Sequence, residues 1–322
     1  MPQLNLFQDD EPSLAPQAAR LAPTLAALAR EGIFFGTSSW KYPGWLGSIY
    51  NPELYNVRGK VSNKKFEQEC LREYALTFPV VGGDFSFYQF PSADYWDRLF
   101  GETPASLRFA LKVPEEITVT QWPSHARYGR RAGTLNEHFL DPRLFGSAFL
   151  RPLSQHADRI AVLMFEFGTF AKRIFATPAD FLERLDPFLA ELPDGFRYAV
   201  EIRNANYFAQ PYFDTLSRHN TAHVFNAWTR MPALGDQVAN EPAFTADFSV
   251  ARALLGHGVT YENAVEAFEP YEKTKQPRPE VREALRRMAE RARQRKQPAF
   301  LLVNNRLEGN APSTIEAVAG LL

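Results

Sequence analysis

The chain has 322 residues, of which 45% are hydrophobic and 23% charged, a composition typical of a globular protein. Its 36 basic and 37 acidic residues give a formal net charge of −1, so overall charge does not indicate a nucleic-acid-binding protein and any anion site must be local. The single cysteine, Cys70, excludes an intrachain disulfide and a cysteine-based zinc site. Because neither a membrane-spanning run nor a signal peptide is visible, we expect a cytoplasmic protein with no membrane partner.

The chain opens with a segment, residues 1–31, that is predicted to be a flexible tail because its first part is polar and contains prolines. From residue 32 onward, short apolar runs alternate with helical patterns. Most of these runs are apolar at consecutive positions, as expected for strands buried on both faces. The eight candidate strands cover residues 32–39, 79–87, 106–113, 159–167, 196–203, 221–228, 247–255 and 298–305.

Helical patterns lie between most of the candidate strands. The expected helices cover residues 62–78, 211–219 and 278–296, with two more starting near residues 177 and 313. Ser62, Thr177 and Ser313 are the expected N-caps. This alternation predicts an α/β fold, a single (β/α)8 TIM barrel over residues 32–322. An open sheet that binds a dinucleotide is less well supported, because no strand runs into a G-x-G-x-x-G turn.

In such a barrel, functional side chains lie at the C-terminal ends of the strands and in the loops that follow. Asp84, Glu166 and Glu201 lie at such ends and are predicted to act as general acid and base. Basic side chains at other strand ends could converge on a phosphate or carboxylate. They are Lys112, Arg203, Arg252 and Arg306. The alternative is that these cations pair with the carboxylates and close the barrel mouth.

Aromatic and amide side chains at the same strand ends complete the predicted substrate site, where the rings could stack a sugar or a base. They are Trp40, Tyr42, Trp45, Tyr88, Asn206, Trp228, Asn304 and Asn305. The loop over residues 120–139 interleaves Arg127, Arg130 and Arg131 with Trp122 and Tyr128. Such a loop suits a phosphate-bearing, stackable ligand. The alternative is a solvated surface loop. Because no histidine pair has metal-ligand spacing within one helix, we expect neither a metal nor a cofactor.

Six motifs in order carry a resemblance to a known family: GTSSWKYPGWLGSIYNP (36–52), FSFYQFPS (85–92), RFALKVPEEIT (108–118), YAVEIRN (198–204), DFSVAR (247–252) and VNNRLEGNAPSTI (303–315). Together they resemble the YecE-like family, catalogued as domain of unknown function 72. The resemblance implies a TIM barrel without a settled activity. It also marks a set of residues that largely repeats the candidates above: Gly36, Trp40, Tyr42, Trp45, Phe87, Tyr88, Lys112, Thr118, Glu201, Arg203, Arg252, Asn304, Asn305 and Gly309.

The chain departs from the family pattern at three places. The resemblance implies Glu and Asn where this chain has Gly82 and Asp84, and Gln-x-Pro where it has a segment beginning with Glu166. It also implies a histidine at the position of Val119. If the missing groups are catalytic in relatives, this chain has altered or lost that chemistry, as in a divergent branch.

The tail carries the motif QLNLF at residues 3–7. It resembles the peptide with which bacterial proteins dock on the replicative sliding clamp. Leu4, Leu6 and Phe7 are then predicted to bind the partner, with the two large side chains of Leu6 and Phe7 in an apolar pocket and Gln3 supplying hydrogen bonds. The alternatives are that the segment packs on the protein's own surface or has no role.

The leading hypothesis is a metal-independent, hydrolase-like enzyme that acts on a phosphate-bearing, ring-containing substrate such as a nucleic acid or nucleotide. One alternative is a non-catalytic, DNA-associated binding protein. Another is a carbohydrate-active enzyme that uses Glu166 and Glu201 as its carboxylate pair.

Overall fold

A closed barrel of eight parallel strands forms the centre of the molecule in the computed structural model, which describes residues 13–322. The strands follow one another around the barrel in chain order, and the last pairs with the first. This arrangement confirms the predicted (β/α)8 fold. The strands are β1 (Ile33–Thr37), β2 (Val80–Gly83), β3 (Arg108–Lys112), β4 (Ile160–Glu166), β5 (Tyr198–Glu201), β6 (Ala222–Ala227), β7 (Ser249–Ala253) and β8 (Ala299–Val303). A short antiparallel hairpin, Asn56–Val57 with Lys60–Val61, lies in the loop after β1.

The barrel interior explains why the strands are apolar at consecutive positions. One set of buried side chains, which includes Val162, Val224, Val250 and Phe300, packs in a cluster of its own inside the barrel. The alternate side chains of the same strands pack outward in a second, larger cluster. The strands are therefore buried on both faces, whereas a sheet with one face in solvent would show alternating apolar and polar residues.

Helices surround the barrel and connect the strands. The main ones are α1 (Pro16–Arg30), α2 (Asn63–Tyr74), α3 (Ala93–Gly101), α4 (Pro178–Ala190), α5 (Gln210–Arg218), α6 (Leu234–Ala239), α7 (Tyr261–Phe268), α8 (Pro279–Arg295) and α9 (Ala311–Ala319). Shorter helical turns cover Glu115–Thr118, Pro142–Leu144, Phe145–Leu150, Arg151–Leu153 and Asn305–Glu308. None of the helices within residues 13–322 is long and apolar enough to cross a membrane.

The helix caps agree with the sequence at two of three sites. Ser62 caps α2, and Thr177 forms a reciprocal capping box with Asp180 at α4. The prediction that Ser313 caps the last helix is wrong. The cap is Asn310, whose side chain accepts a hydrogen bond from the Ser313 amide, and the helix begins with Ala311.

The first helix corrects the predicted length of the flexible tail. Residues 16–30 form α1, in which Leu21, Leu25 and Leu28 are buried against the barrel. The Gln17 side chain also donates to Glu316 of α9 at 2.8 Å. The signal was present in the sequence, because apolar residues at i, i+4 and i+7 after a proline predict a helix start. The QLNLF motif lies outside the described residues.

Candidate functional site

A network of charged side chains occupies the C-terminal end of the barrel. The register of β4 and β5 places Glu166 directly beside Glu201. Two adjacent carboxylates repel each other unless a cation lies between them. Arg252 of β7 supplies that cation, since its Nη1 donates to both carboxylates.

Two further cations complete the network. Arg203 Nη2 lies 2.7 Å from Glu201 Oε1 and 3.1 Å from Glu166 Oε2. Lys112 Nζ lies 3.2 Å from Glu166 Oε2 and 3.5 Å from Asp84 Oδ1. The network therefore contains three cations and three carboxylates, and its charges balance. For Lys112, Arg203 and Arg252, the structure therefore shows the alternative arrangement, in which the cations at the strand ends pair with the carboxylates.

The three carboxylates differ in their access to solvent. Side-chain exposure is 52% for Asp84, 18% for Glu166 and 0% for Glu201. Glu201 thus has no surface with which to touch a ligand, and its position fits a residue that orients Arg203 and Arg252. Of the three predicted acid–base residues, Asp84 is the one that solvent reaches freely.

Electrostatics hold Glu166 in its ionised form. Burial would raise the pKa of Glu166, but the charges of Arg203, Lys112 and Arg252 outweigh burial and hold that pKa well below its usual range. Burial likewise opposes the charge of Arg252, yet Glu201, Glu166 and Asp84 raise the pKa of its guanidinium. At neutral pH Glu166 is therefore an anion without a proton to donate.

The predicted aromatic residues separate into different environments. Trp45 is fully buried and packs against Tyr42 and Tyr50, with ring centroids 4.9 and 6.1 Å away. The expectation that Trp45 stacks a ligand is thus wrong: the short turn Pro43–Trp45 places its ring in the core. Trp40 is 9% exposed and lines a groove between α2 and α3 rather than the charged network.

Guanidinium groups stack on aromatic rings around the barrel mouth. We call four such contacts, all from loops that follow the C-terminal ends of strands, the rim pairs. A cation over a ring is attracted by the electron-rich face of that ring. The N–H groups at the edge of a stacked guanidinium stay free to donate hydrogen bonds. The rim pairs are Arg203 on Trp228 at 3.8 Å, Arg131 on Trp122 at 4.1 Å, Arg127 on Tyr88 at 4.4 Å and Arg306 on Tyr261 at 4.4 Å.

Most rim cations also have a carboxylate partner. Arg127 lies 3.7 Å from Glu115, and Arg131 lies 2.9 Å from Glu116. Arg306 differs, because no carboxylate of residues 13–322 lies within ion-pair distance of it. Arg306 was predicted from the sequence as a site residue, but its aromatic partner Tyr261 was not. The signal that could have revealed Tyr261 is its place in the loop region after β7.

The three predicted amides do not join the network. Asn304 Oδ1 accepts from the Arg306 amide at 2.9 Å, and Asn305 Oδ1 accepts from the Ala311 amide at 2.8 Å. Both amides therefore hold the backbone that follows β8. Asn206 is exposed on the turn Ala205–Tyr207 after β5.

Histidine and carboxylate side chains hold metal ions in characteristic arrangements. Within residues 13–322, no group of three or more His, Cys, Asp and Glu side chains is arranged to hold a metal ion. His223 lies on β6 and is buried, and its Nδ1 lies 3.1 Å from the Tyr212 hydroxyl. Burial lowers the pKa of His223 to about 4, so it is neutral at physiological pH.

Comparison with known proteins establishes the family. A family model described as "Protein of unknown function DUF72" matches residues 34–322, which is most of the chain. The chain belongs to the DUF72 family. The resemblance inferred from the six motifs is thereby confirmed.

Curated relatives within DUF72 are distant. The UPF0759 protein YecE of Escherichia coli K12 is 27% identical over 179 residues, which cover 55% of this chain and 51% of YecE. The UPF0759 protein YunF of Bacillus subtilis is 25% identical over 186 residues, covering 58% of this chain and 56% of YunF. The chain thus spans about half the length of the curated relatives it matches.

Solved structures of the family share the fold. A DUF72 protein of Thermotoga maritima MSB8 superimposes with a TM-score of 0.60 at 19% identity, covering 89% of this chain and 98% of that one. A DUF72 protein of Enterococcus faecalis V583 gives 0.59 at 14% identity, covering 90% and 96%. At this level of identity the likeness concerns the fold alone.

Two of the three departures from the family pattern concern the charged network and the strand that leads to it. Asp84 and Glu166 stand where the resemblance implies amides, and both pair here with Lys112. At Gly82, where the resemblance implies Glu, an added Cβ would lie 3.0 Å from the Ser38 Cα, so a longer side chain would require the backbone to shift. The balanced network is therefore built partly from residues in which this chain differs.

Proposed function

We propose that the barrel mouth binds a phosphate-bearing, ring-containing ligand, a nucleic acid or nucleotide in preference to a free sugar. The observation that carries this proposal is the set of four rim pairs in the loops at the C-terminal end of the barrel. The pairs at Tyr88 and Tyr261 offer a flat surface for a base beside N–H donors for a phosphate oxygen. Tyr88 is 57% exposed and Tyr261 is 50% exposed, so two of the four rings are open to a ligand.

Phosphoester hydrolysis is the reaction class that we propose for a bound substrate, with Asp84 as the base that accepts a proton from the attacking water. Asp84 is the most exposed carboxylate of the network and lies beside Lys112 and Arg252. Those two cations would hold the Asp84 carboxylate in position to accept the proton, while the rim arginines bind the phosphate. Glu201 would position the arginines, and Glu166 would keep Lys112 in place.

A non-catalytic nucleic-acid-binding protein is the second candidate, and one observation favours it. Glu201 is buried and Glu166 is held ionised, so neither provides a ready proton donor for a leaving group. The same geometry weakens the carbohydrate alternative. The guanidinium of Arg252 occupies the space between Glu166 and Glu201, where a glycosidase would place its substrate.

Recruitment to a sliding clamp is part of the proposal, and the position of Ser13 supports it. The Ser13 carbonyl accepts a hydrogen bond from Asn51, and the amides of Gln17 and Ala18 donate to the Ser48 carbonyl at 3.0 and 3.1 Å. Asn51 and Ser48 lie in the loop after β1, at the same end of the barrel as the mouth. A partner that bound the QLNLF motif would thus be held within about 40 Å of this end, the reach of twelve extended residues.

Fluorescence anisotropy with labelled single-stranded DNA and with a labelled mononucleotide tests the binding proposal. Tyr88→Ala should weaken binding about fivefold or more, since stacking of one base contributes about 1–3 kcal/mol. Arg20→Ala is the control, because Arg20 is an exposed arginine of α1 that pairs with Glu316 away from the mouth. Equal affinity of all three proteins, or no binding by any, would refute the proposed site.

Product analysis on the same ligands separates the two candidates. An enzyme should convert the labelled substrate, and Asp84→Asn should abolish turnover while leaving affinity within about threefold of the parent. Binding without any chemical change would select the non-catalytic candidate.

Calorimetric titration of a bacterial sliding clamp tests recruitment. We expect micromolar binding that is lost when Leu6 and Phe7 are both replaced by Ala, because these side chains would fill the apolar pocket. Absence of heat with the parent protein would remove the clamp from the proposal and leave the mouth unaffected.

A further inference from the structure

We infer that Arg306, with Tyr42, Tyr261 and Tyr271 around it, forms the subsite that holds a phosphoryl group of the ligand. This inference rests on the proposed function and names the part of the mouth that recognises phosphate. We call these four residues the Arg306 subsite. Arg306 follows β8 in the first turn of Asn305–Glu308, while the tyrosines come from the loop after β1 and the region after β7.

Charge balance directs an anion to Arg306. Lys112, Arg203 and Arg252 already face an equal number of carboxylates in the buried network. An anion that entered there would displace an internal carboxylate and meet the others at close range, which is unfavourable. Among the basic residues predicted to converge on an anion, Arg306 is the one whose guanidinium has no carboxylate neighbour within residues 13–322.

The guanidinium is held in place but its hydrogen bonding is incomplete. Arg306 lies over the Tyr261 ring at 4.4 Å, and its backbone amide donates to Asn304. Its Nε is buried without a hydrogen-bond partner in the described part of the chain. A buried donor that lacks a partner is unfavourable, so an acceptor oxygen placed beside the guanidinium would be favoured. Phosphate oxygens match the fork of a guanidinium closely.

Two hydroxyls add neutral donors to the same place. The rings of Tyr42 and Tyr271 meet edge to face at 5.5 Å. Burial raises the pKa of both hydroxyls, and the nearby charge of Arg306 only partly opposes this rise. Both tyrosines therefore keep their protons at neutral pH and can donate to an anion. Tyr261 is half exposed, which leaves the subsite open to solvent on one side.

Trp228 links the Arg306 subsite to the rest of the mouth. Its ring packs against the small apolar cluster that contains Tyr271, and it also carries the Arg203 guanidinium at 3.8 Å. A ligand with its phosphoryl group at Arg306 would thus have its ring beside Trp228. Trp228 would then stack the base, and the adjacent Arg306 would bind the phosphate.

The test compares two single-stranded DNA probes of one sequence, one with a 5′-phosphate and one with a 5′-hydroxyl. If the subsite holds a terminal phosphate, the parent should prefer the phosphorylated probe about tenfold, the value of one charge-assisted hydrogen-bond pair. Arg306→Gln should lose that preference and keep its affinity for the hydroxyl probe. Arg306→Lys should keep part of it, because a point charge remains. Arg131→Gln is the matched control and should weaken both probes equally.

The remaining outcomes also decide the question. An equal loss on both probes in Arg306→Gln, larger than in Arg131→Gln, would assign the subsite to a backbone phosphodiester. Unchanged affinity of Arg306→Gln for both probes would overturn the inference while the proposed function stands. If no DNA binds, pyrophosphate is the probe. A rise in parent Tm that is absent in Arg306→Gln would retain the subsite and refute the nucleic-acid proposal, and no rise would refute both.

Discussion

Replacing Glu201 by Gln removes one charge from the buried network without changing the size of the side chain. Arg203 and Arg252 would then share a single remaining buried carboxylate, Glu166, and the network would carry an excess positive charge. Because Glu201 is fully buried, water cannot replace the lost partner. The variant therefore isolates the electrostatic contribution of one carboxylate in a closed site.

The expected loss of stability is large. Removing one partner of a buried ion pair typically costs about 3–5 kcal/mol, because the other charge stays buried. Unfolding entropy near 60 °C is about 2.1 cal/mol/K per residue, which for 322 residues gives about 0.7 kcal/mol/K. Glu201→Gln should therefore lower Tm by about 4–7 °C.

Differential scanning calorimetry at pH 7 measures this shift, with Asp84→Asn as the control. Asp84 belongs to the same network but is 52% exposed, and exposed pairs contribute only about 0–1 kcal/mol. Its Tm should fall by no more than about 1–2 °C by the same conversion. If the Tm of Glu201→Gln equalled that of Asp84→Asn, the Glu201 carboxylate would not stabilise the arginines. Its assignment as a positioning residue would then be wrong.

Three further predictions concern stability. The low pKa of Glu166 in the folded state means that its contribution is complete above the unfolded pKa of about 4.3 and is lost as pH falls further. Urea midpoints should show this acid loss, and Glu166→Gln should reduce it. The pKa of His223, lowered to about 4, means that the unfolded chain binds the extra proton. Stability should then fall by about 1.4 kcal/mol per pH unit from roughly 6.5 to 4, and His223→Gln should remove that slope. Leu25→Ala in α1 should cost about 2–5 kcal/mol in urea unfolding, whereas a value near zero would contradict the packing of α1.

Most of the barrel could be predicted because its strands are buried on both faces, which leaves consecutive apolar runs in the sequence. The environment of individual strand-end residues could not. Trp45 follows the same strand as Trp40, yet a single short turn directs its ring into the core. Helix α1 was not predicted because its two prolines suggest a tail, although Pro16 begins the helix and Pro23 lies within it. Side-chain burial of this kind depends on which loop covers a position.

The candidate site shows the same limit in its charges. The sequence places cations and carboxylates at the ends of several strands, but it does not say which of them pair. The register between β4 and β5 brings Glu166 and Glu201 together, and only a cation such as Arg252 makes that arrangement tolerable. Once these groups are committed to one another, they no longer form a free anion site. Arg306, which the sequence could not distinguish from the other basic residues, then becomes the cation of the mouth that an incoming phosphate would meet.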